Sequence, residues 1–164
     1  MDGQDGMDGV HVNMTNTRNT PVEVIELAYP LLVERYGLVP DSGGPGRFRG
    51  GLGLAREITV LGQGATVSLS TERSRLSPWG LAGGGAGQRS RCSLKSGTEV
   101  ERLPGKVTRP VPGHSTVVLE TAGGGGFGHP LERDPELVRE DVLDGLVSVE
   151  KALEEYGVVI KTGE

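Results

Sequence analysis

Apolar and polar positions alternate most cleanly in the middle of the chain, where Ala65-Thr-Val67-Ser-Leu69-Ser70 switches at every residue. A period of two marks a strand with one buried face. Residues 56–61, just before it, are rich in β-branched side chains and predict a second strand. Gly62-Gln63-Gly64 then reads as a three-residue hairpin loop joining the two. Cys92 and Leu94 alternate up to a two-residue turn at Ser96-Gly97, and Val100 leads back. Residues 106–111 and 115–121 form a further predicted pair around Pro112-Gly113-His114. Residues 31–39 are apolar, and Pro30 and Gly37 favour extended chain over helix there.

The period changes at both ends. Thr20-Pro21-Val22-Glu23 has the form of a capping box with proline at the first helical position. It predicts a helix of about two turns, with Val22, Ile25 and Tyr29 on one face, ending before Pro30. Near the C-terminus, Asp134-Pro135-Glu136 supplies an N-cap, a first-turn proline and a first-turn acid. That helix carries Val138, Val142 and Leu146 at spacing four. A second helix opens at Ser148, carries Val149, Ala152, Leu153 and Tyr156 on one face, and stops at Gly157. A helix, a run of strands and a helical pair predict an α+β fold with a mainly antiparallel β body, a short N-terminal helix and a C-terminal αα-hairpin. The expected divisions are an arm over 1–13, a glycine-rich β-dominated domain over 14–132, and a helical hairpin over 133–164 packed on it.

Composition alters this picture in one respect. Glycine accounts for 28 of 164 residues, at the expense of side chains that fill a core. Much of it sits in three loops, each beside an apolar or aromatic anchor: DSGGPGRFRGGLG over 41–53, Trp79-Gly-Leu-Ala-Gly-Gly-Gly85, and Gly123-Gly-Gly-Gly-Phe-Gly128. The arginines and the apolar exit of the first loop argue for a folded turn and not a tether. A net charge of −5 weighs against nucleic acid as a partner. A single cysteine, Cys92, forms no internal disulfide, and the first ten residues lack the apolar core of a signal peptide. Both point to a reducing, cytoplasmic setting.

Candidate chemistry follows from residue types. Backbone N–H groups of glycine loops can cradle a phosphate or carboxylate, and Gly123, Gly124, Gly125 and Gly126 are the first candidates, although their spacing matches neither phosphate-loop fingerprint. Arg47, Arg49 and Arg73 can pair an anion or form structural ion pairs. Asn13, Thr15, Asn16, Thr17 and Asn19 offer closely spaced uncharged donors and acceptors, for a polar site or for local turns. Asp2, Asp5 and Asp8 recur every third residue, which is not the spacing of an EF-hand calcium loop. His11, His114 and His129 are scattered, so no metal site is expected from this chain alone.

The stretches MTNTRNTPVE, DSGGPGRFRGGLGLAREI, STERSRLSPWGLAGG, LPGKVT, TAGGGGFGHPLERDPELVREDVLDGLVS and EYGVV occur in that order. Together they resemble the C-terminal part of the hydantoinase B/5-oxoprolinase family, from about Gly3 to Val159. The resemblance implies one component of an ATP-dependent hydrolase of cyclic amides, or of a related carboxylase. An A-type subunit activates a lactam, imide or ketone oxygen by phosphorylation, and the B-type subunit completes the reaction. ATP-Mg and a divalent metal are implied for the partner subunits, and no cofactor for this chain. The implied partners are the A-type subunit and the N-terminal part of the B-type subunit, in a hetero-oligomer. The residues expected to position substrate are Asn13, Thr15, Asn16, Thr17 and Asn19, and Gly123–Gly126 with Arg47 and Arg49 are expected in a binding or interface role. Members commonly have histidine where this chain has Asn13 and aspartate where it has His129. The alternative is a non-catalytic assembly subunit whose glycine loops pack against its neighbours.

Overall fold

The computed structural model describes residues 3–10 and 19–161. A helix α1 (Val22–Ala28) precedes seven strands: β1 (Leu31–Leu38), β2 (Leu54–Val60), β3 (Gly64–Ser70), β4 (Arg91–Ser96), β5 (Glu99–Leu103), β6 (Lys106–Pro112) and β7 (Thr116–Glu120). Two helices follow, α2 (Pro135–Leu143) and α3 (Val149–Tyr156). Five strands form an antiparallel sheet in the order β1-β2-β7-β4-β5, and β3 pairs with β6 in a separate two-stranded ribbon. The fold is therefore α+β and mainly antiparallel, as the patterning predicts.

Strand positions match the alternation, but two of the three expected hairpins are not hairpins. β2 pairs with β1 and β7 and not with β3, while β6 pairs with β3 and not with β7. The loops at 62–64 and 113–115 run side by side, with His114 N–H donating to Val60 O at 2.7 Å and Gly113 N–H to Gln63 O at 3.2 Å. There a two-stranded ladder bends out of the large sheet and folds back over it. The physical reason lies in the faces. Val60, Cys92, Leu94, Leu103 and Val111 form a buried cluster, against which Val67, Leu69 and Val107 of the ribbon pack. Pairing β2 with β3 as a flat hairpin would leave Val67 and Leu69 without a surface to bury against. Strands that change sheet at such a bend let both faces close on one core. The hairpin β4–β5 does form, with Ser96 paired to Glu99, so its turn residues are Gly97 and Thr98, one position later than expected.

The capping box at Thr20 does not form. Helix α1 starts at Val22, its N-cap is Pro21, and no side chain caps it. Pro21 is extended, at φ −54° and ψ 144°, so the chain enters the helix one residue too late for Thr20 to reach it. Only Ile25 of the predicted face is buried.

The C-terminal pair matches more closely. Asp134 caps α2 by accepting from Glu136 N–H at 2.9 Å, and Ser148 caps α3 by accepting from Lys151 N–H at 3.2 Å. Gly157, at φ 67°, closes α3 in the left-handed conformation that glycine tolerates. Val138, Val147, Ala152 and Tyr156 are buried together. Leu146 falls in the turn beyond α2, and Leu153, expected on the buried face, is 55% exposed.

Candidate functional site

The three glycine loops do not lie apart on the surface. They stack on one another, backbone against backbone. Gly44 N–H donates to Gly124 O at 2.8 Å, Gly85 N–H to Pro45 O at 2.6 Å, Gly126 N–H to Gly85 O at 2.9 Å and Leu81 N–H to Gly126 O at 2.9 Å. Gly124 N–H donates to Gly51 O at 2.7 Å and Gly123 N–H to Gln88 O at 3.2 Å. The spacing between these segments admits no side chain. A Cβ on Gly125 would stand 2.0 Å from Trp79 O, and one on Gly126 2.1 Å from Pro45 O. The excess glycine of the composition is thus used to build a layer of main chain. Phe48 and Phe127 bridge its rim, with ring centroids 6.4 Å apart.

One edge of this layer is clamped by buried charge. Asp5 and Asp8 come from the N-terminal segment, Arg49 from the first loop, and Arg133 and Asp141 from the start of the helical region. Arg133 donates from Nη1 to Asp5 Oδ1 at 2.6 Å, and from Nη2 to Asp5 Oδ2 and Asp141 Oδ2 at 2.7 Å each. Arg49 donates from Nη1 to Asp8 Oδ1 at 3.0 Å and from Nε to Asp141 Oδ1 at 3.4 Å. The carboxylates also hold main chain: Arg49 N–H donates to Asp5 Oδ1 and Leu52 N–H to Asp8 Oδ1, both at 2.7 Å. Residues 3–10 therefore lie docked along the central loop and do not project as an arm.

Burial favours discharge of Asp5, Arg49 and Arg133, yet the pairing prevails. For Asp5, the Arg133 bonds outweigh burial and hold the carboxyl below its ordinary value. For Arg49, the Asp8 bond and the Asp141 charge outweigh burial and keep the guanidinium above its ordinary value. For Arg133, Asp5 does the same, helped by Asp141. Burial of Tyr156, whose ring lies beneath Arg133 at 5.9 Å from centroid to guanidinium carbon, pushes its hydroxyl up to about 12.

Beside the layer opens a cleft of about 870 Å3, lined by Met7, Val10, Phe48, Arg49, Phe127 and the main chain of Gly123–Gly125. Of the residues singled out in the sequence, it brings together Arg49, Arg73, Gly123, Gly124 and Gly125. The N–H groups of Gly123, Gly124 and Gly126 are spent on carbonyls within the layer; that of Gly125 has no backbone acceptor among the described residues. Arg47 lies outside this cleft, exposed, with its guanidinium over the Phe48 ring. Asn19 lies elsewhere too, donating from Nδ2 to the Tyr36 hydroxyl. Asn13, Thr15, Asn16 and Thr17 lie outside the described residues. His129 accepts from Leu131 N–H at 3.3 Å and so starts a short 3-10 turn.

Sequence reasoning alone misses the clamp. The period-three aspartates invite comparison with a calcium loop, whereas their partners are arginines 41 to 128 positions away. The available signal is the presence of arginines in a glycine-rich, close-packed context together with a run of aspartates that cap no helix, but nothing local joins them.

Comparison with known proteins fixes the relationship. The description of the hydantoinase B/oxoprolinase family matches residues 1–130. A protein of Pseudomonas sp. (strain NS671), named for the B-type component of a D-/L-hydantoinase, is 43% identical over 99% of this chain and 28% of its own length. The beta component of the Pseudomonas jessenii caprolactamase is 37% identical over 85% of this chain and 25% of its own length. The crystal structure of the ATP-dependent caprolactamase from that organism superposes with a TM-score of 0.77 at 33% identity, covering 88% of this chain and 26% of that one. A nucleotide-free acetone carboxylase shares the fold, with a TM-score of 0.81 at 24% identity over 98% of this chain and 26% of that one. The chain thus spans about a quarter of the length of these proteins, and it belongs to the hydantoinase B/oxoprolinase family.

Proposed function

We propose that this chain supplies the C-terminal portion of a B-type component in an ATP-dependent amidohydrolase that opens a cyclic amide, such as a hydantoin, 5-oxoproline or lactam, or in a related carboxylase. The observation that carries this reading is the joint sequence and fold agreement with the ATP-dependent caprolactamase over 88% of the chain. The chemistry calls for partners. A cyclic amide is a poor electrophile, and phosphorylating its oxygen by an A-type subunit would make it a good one. ATP-Mg would bind to that subunit and a divalent metal elsewhere in the assembly. The surface suits incorporation into something larger: Leu27, Leu76, Met7, Val159, Leu143 and Trp79 are each between 66% and 88% exposed.

Within the assembly, Asn13, Thr15, Asn16, Thr17 and Asn19 would position substrate, and the glycine layer would wall the site with main chain. One observation favours the assembly reading for the layer itself: most of its N–H groups already donate internally, as scaffolding requires.

Reconstitution tests the proposal. ATP-dependent ring opening is expected only when this chain, the rest of the B-type component and an A-type subunit are combined. Full activity in an assembly lacking this chain would sink it. Asn16→Ala, in an assembly that forms normally, is expected to lower turnover at least tenfold, about 1.4 kcal/mol in the barrier. Unchanged turnover in that variant removes Asn16 from the site.

A further inference from the structure

A second cleft, of about 830 Å3, shares Thr71, Glu72, Arg73 and Ser90 with the first and lies where three segments converge: 71–76 after β3, 90–92 opening β4, and 102–106 across the β5–β6 turn. Its walls carry Arg73, Arg75, Arg91, Arg102 and Lys106 against a single acid, Glu72. These are five of the 17 lysines and arginines in a chain of net charge −5. We infer that this cleft is a binding site for an oxyanion, a phosphate or carboxylate group held by arginine forks.

Among the described residues, four of these five cations have no carboxylate partner. Glu72 approaches Lys106 at 3.5 Å, with both side chains largely exposed. Among the described residues, no carboxylate oxygen comes within 4.0 Å of Arg73, Arg75, Arg91 or Arg102. Arg91 faces Glu120 in the β4–β7 register and still makes no such pair. In the β4–β5 register Ser93 faces Arg102, so Arg91 and Arg102 are diagonal neighbours on one face. Like charges in that relation repel unless something negative lies between them. An arginine fork matches the two oxygens of a phosphate or carboxylate edge.

The cleft is also braced. Thr71 N–H donates to Gly105 O at 2.7 Å, and Ser90 N–H to Arg73 O at 3.1 Å. Ser90 Oγ donates to Glu72 O. These bonds hold Arg73 at φ 56°, a left-handed conformation unfavourable for a side chain of its kind and often found at functional positions. The Arg73 guanidinium carbon sits 5.2 Å from the Trp79 ring centroid, a stacking that fixes the cation and leaves its in-plane N–H groups free to donate.

Calorimetric titration of the 164-residue chain with inorganic phosphate and, separately, succinate is the test. At least one should bind one-to-one with a Kd of about 1 mM or tighter, and the tighter of the two identifies the oxyanion source. Arg102→Ala and Arg73→Gly should each weaken that binding at least tenfold. Arg139→Ala removes the same charge from the exposed face of α2 and should leave binding unchanged. Arg73→Gly also relieves the left-handed backbone, so its melting temperature should not fall, and its lost affinity then cannot be put down to unfolding. Kd values weaker than about 1 mM for both anions, or equal binding by wild type and both cleft variants, overturn the inference.

Discussion

The glycine layer and the C-terminal helical pair meet at Arg49, Arg133 and Asp141, yet they reach compactness by opposite means. In the pair, periodic side chains do the packing: Val138 and Ala152 are 0% exposed, and the caps at Asp134, Ser148 and Gly157 fix where each helix starts and stops. In the layer, packing depends on side chains being absent, and hydrogen bonds between neighbouring main chains hold the loops. A side-chain core responds to a deleted methyl by partial collapse. A main-chain layer has no room for an added one, because backbone atoms cannot rotate away as a side chain can. The layer should therefore be the more brittle of the two, and substitutions of one carbon atom test that difference.

The largest effect is expected from Gly126→Ala. Its Cβ would stand 2.1 Å from Pro45 O and 2.7 Å from Gly44 O, so two loops must separate. The cost should exceed about 3 kcal/mol, above the usual overpacking penalty, and a thermal melt should show a large drop or no folded protein. Gly37→Ala is the counterpart. It adds the same atom in β1 where nothing lies within 4 Å, and should be neutral or stabilise by about 0.5–1 kcal/mol. Equal melting temperatures for the two variants would show that the layer yields after all.

The clamp between the two regions comes next. Arg133 is 1% exposed in its side chain and bonds Asp5 and Asp141 together. Its Nε is buried without a partner among the described residues, which hold one unmet donor there. Arg133→Ala would leave three carboxylates, Asp5, Asp8 and Asp141, to Arg49 as the remaining guanidinium of the clamp, and should cost about 3–5 kcal/mol, as expected when one member of a buried pair is removed. Chemical denaturation measures it. Limited proteolysis should also cut within residues 3–10 of the variant sooner than in the wild type, because Arg133 tethers Asp5.

How legible these features were in the sequence follows the same division. The helical pair was readable because cap and period are local: Asp134, Ser148 and Gly157 each act within a turn of themselves. Strand positions were readable too, since alternation is local. Strand partners were not, because Val67 and Leu69 carry no mark of which sheet they cover, and the bend at 62–64 resembles a hairpin turn in composition. The clamp was illegible for a stronger reason: Asp5 and Arg133 stand 128 positions apart, and only the stacked glycine loops between them bring them together. Glycine content announced that loops were special. It did not announce that they pack on each other.

Tyr156 gives the clamp a pH signature. Burial raises its hydroxyl to about 12, against an ordinary value near 10. The folded state therefore holds the proton more tightly than the unfolded chain. Below about pH 10 both states are protonated and stability is untouched; between about 10 and 12 the unfolded chain releases its proton first and stability falls. The loss should total about 3 kcal/mol, following from a shift of two pKa units. A series of denaturation curves from pH 9 upward should show it, and Tyr156→Phe should flatten that part of the profile. A Phe variant with the wild-type slope would assign the alkaline loss to another group.

The smallest effect is expected at Leu153, and it sharpens the comparison by showing where side-chain packing ends. Spacing alone puts Leu153 on the same helical face as Ala152 and Tyr156, both buried. The helix is rotated so that Ala152 and Tyr156 point at Val138 and Val147, and Leu153 falls at the edge with 55% of its surface in water. Ala152 explains the rotation. A small residue lets α3 approach α2 closely, and the close-packed line then runs through 152 and 156 and passes beside 153. Truncating a half-exposed leucine removes little buried area, so Leu153→Ala should change stability by less than about 0.5 kcal/mol. Val138→Ala, at 0% exposure, should cost about 2 kcal/mol by contrast. Paired urea titrations of the two variants decide the matter: a Leu153→Ala loss as large as that of Val138→Ala would mean the helix turns its 153 face inward.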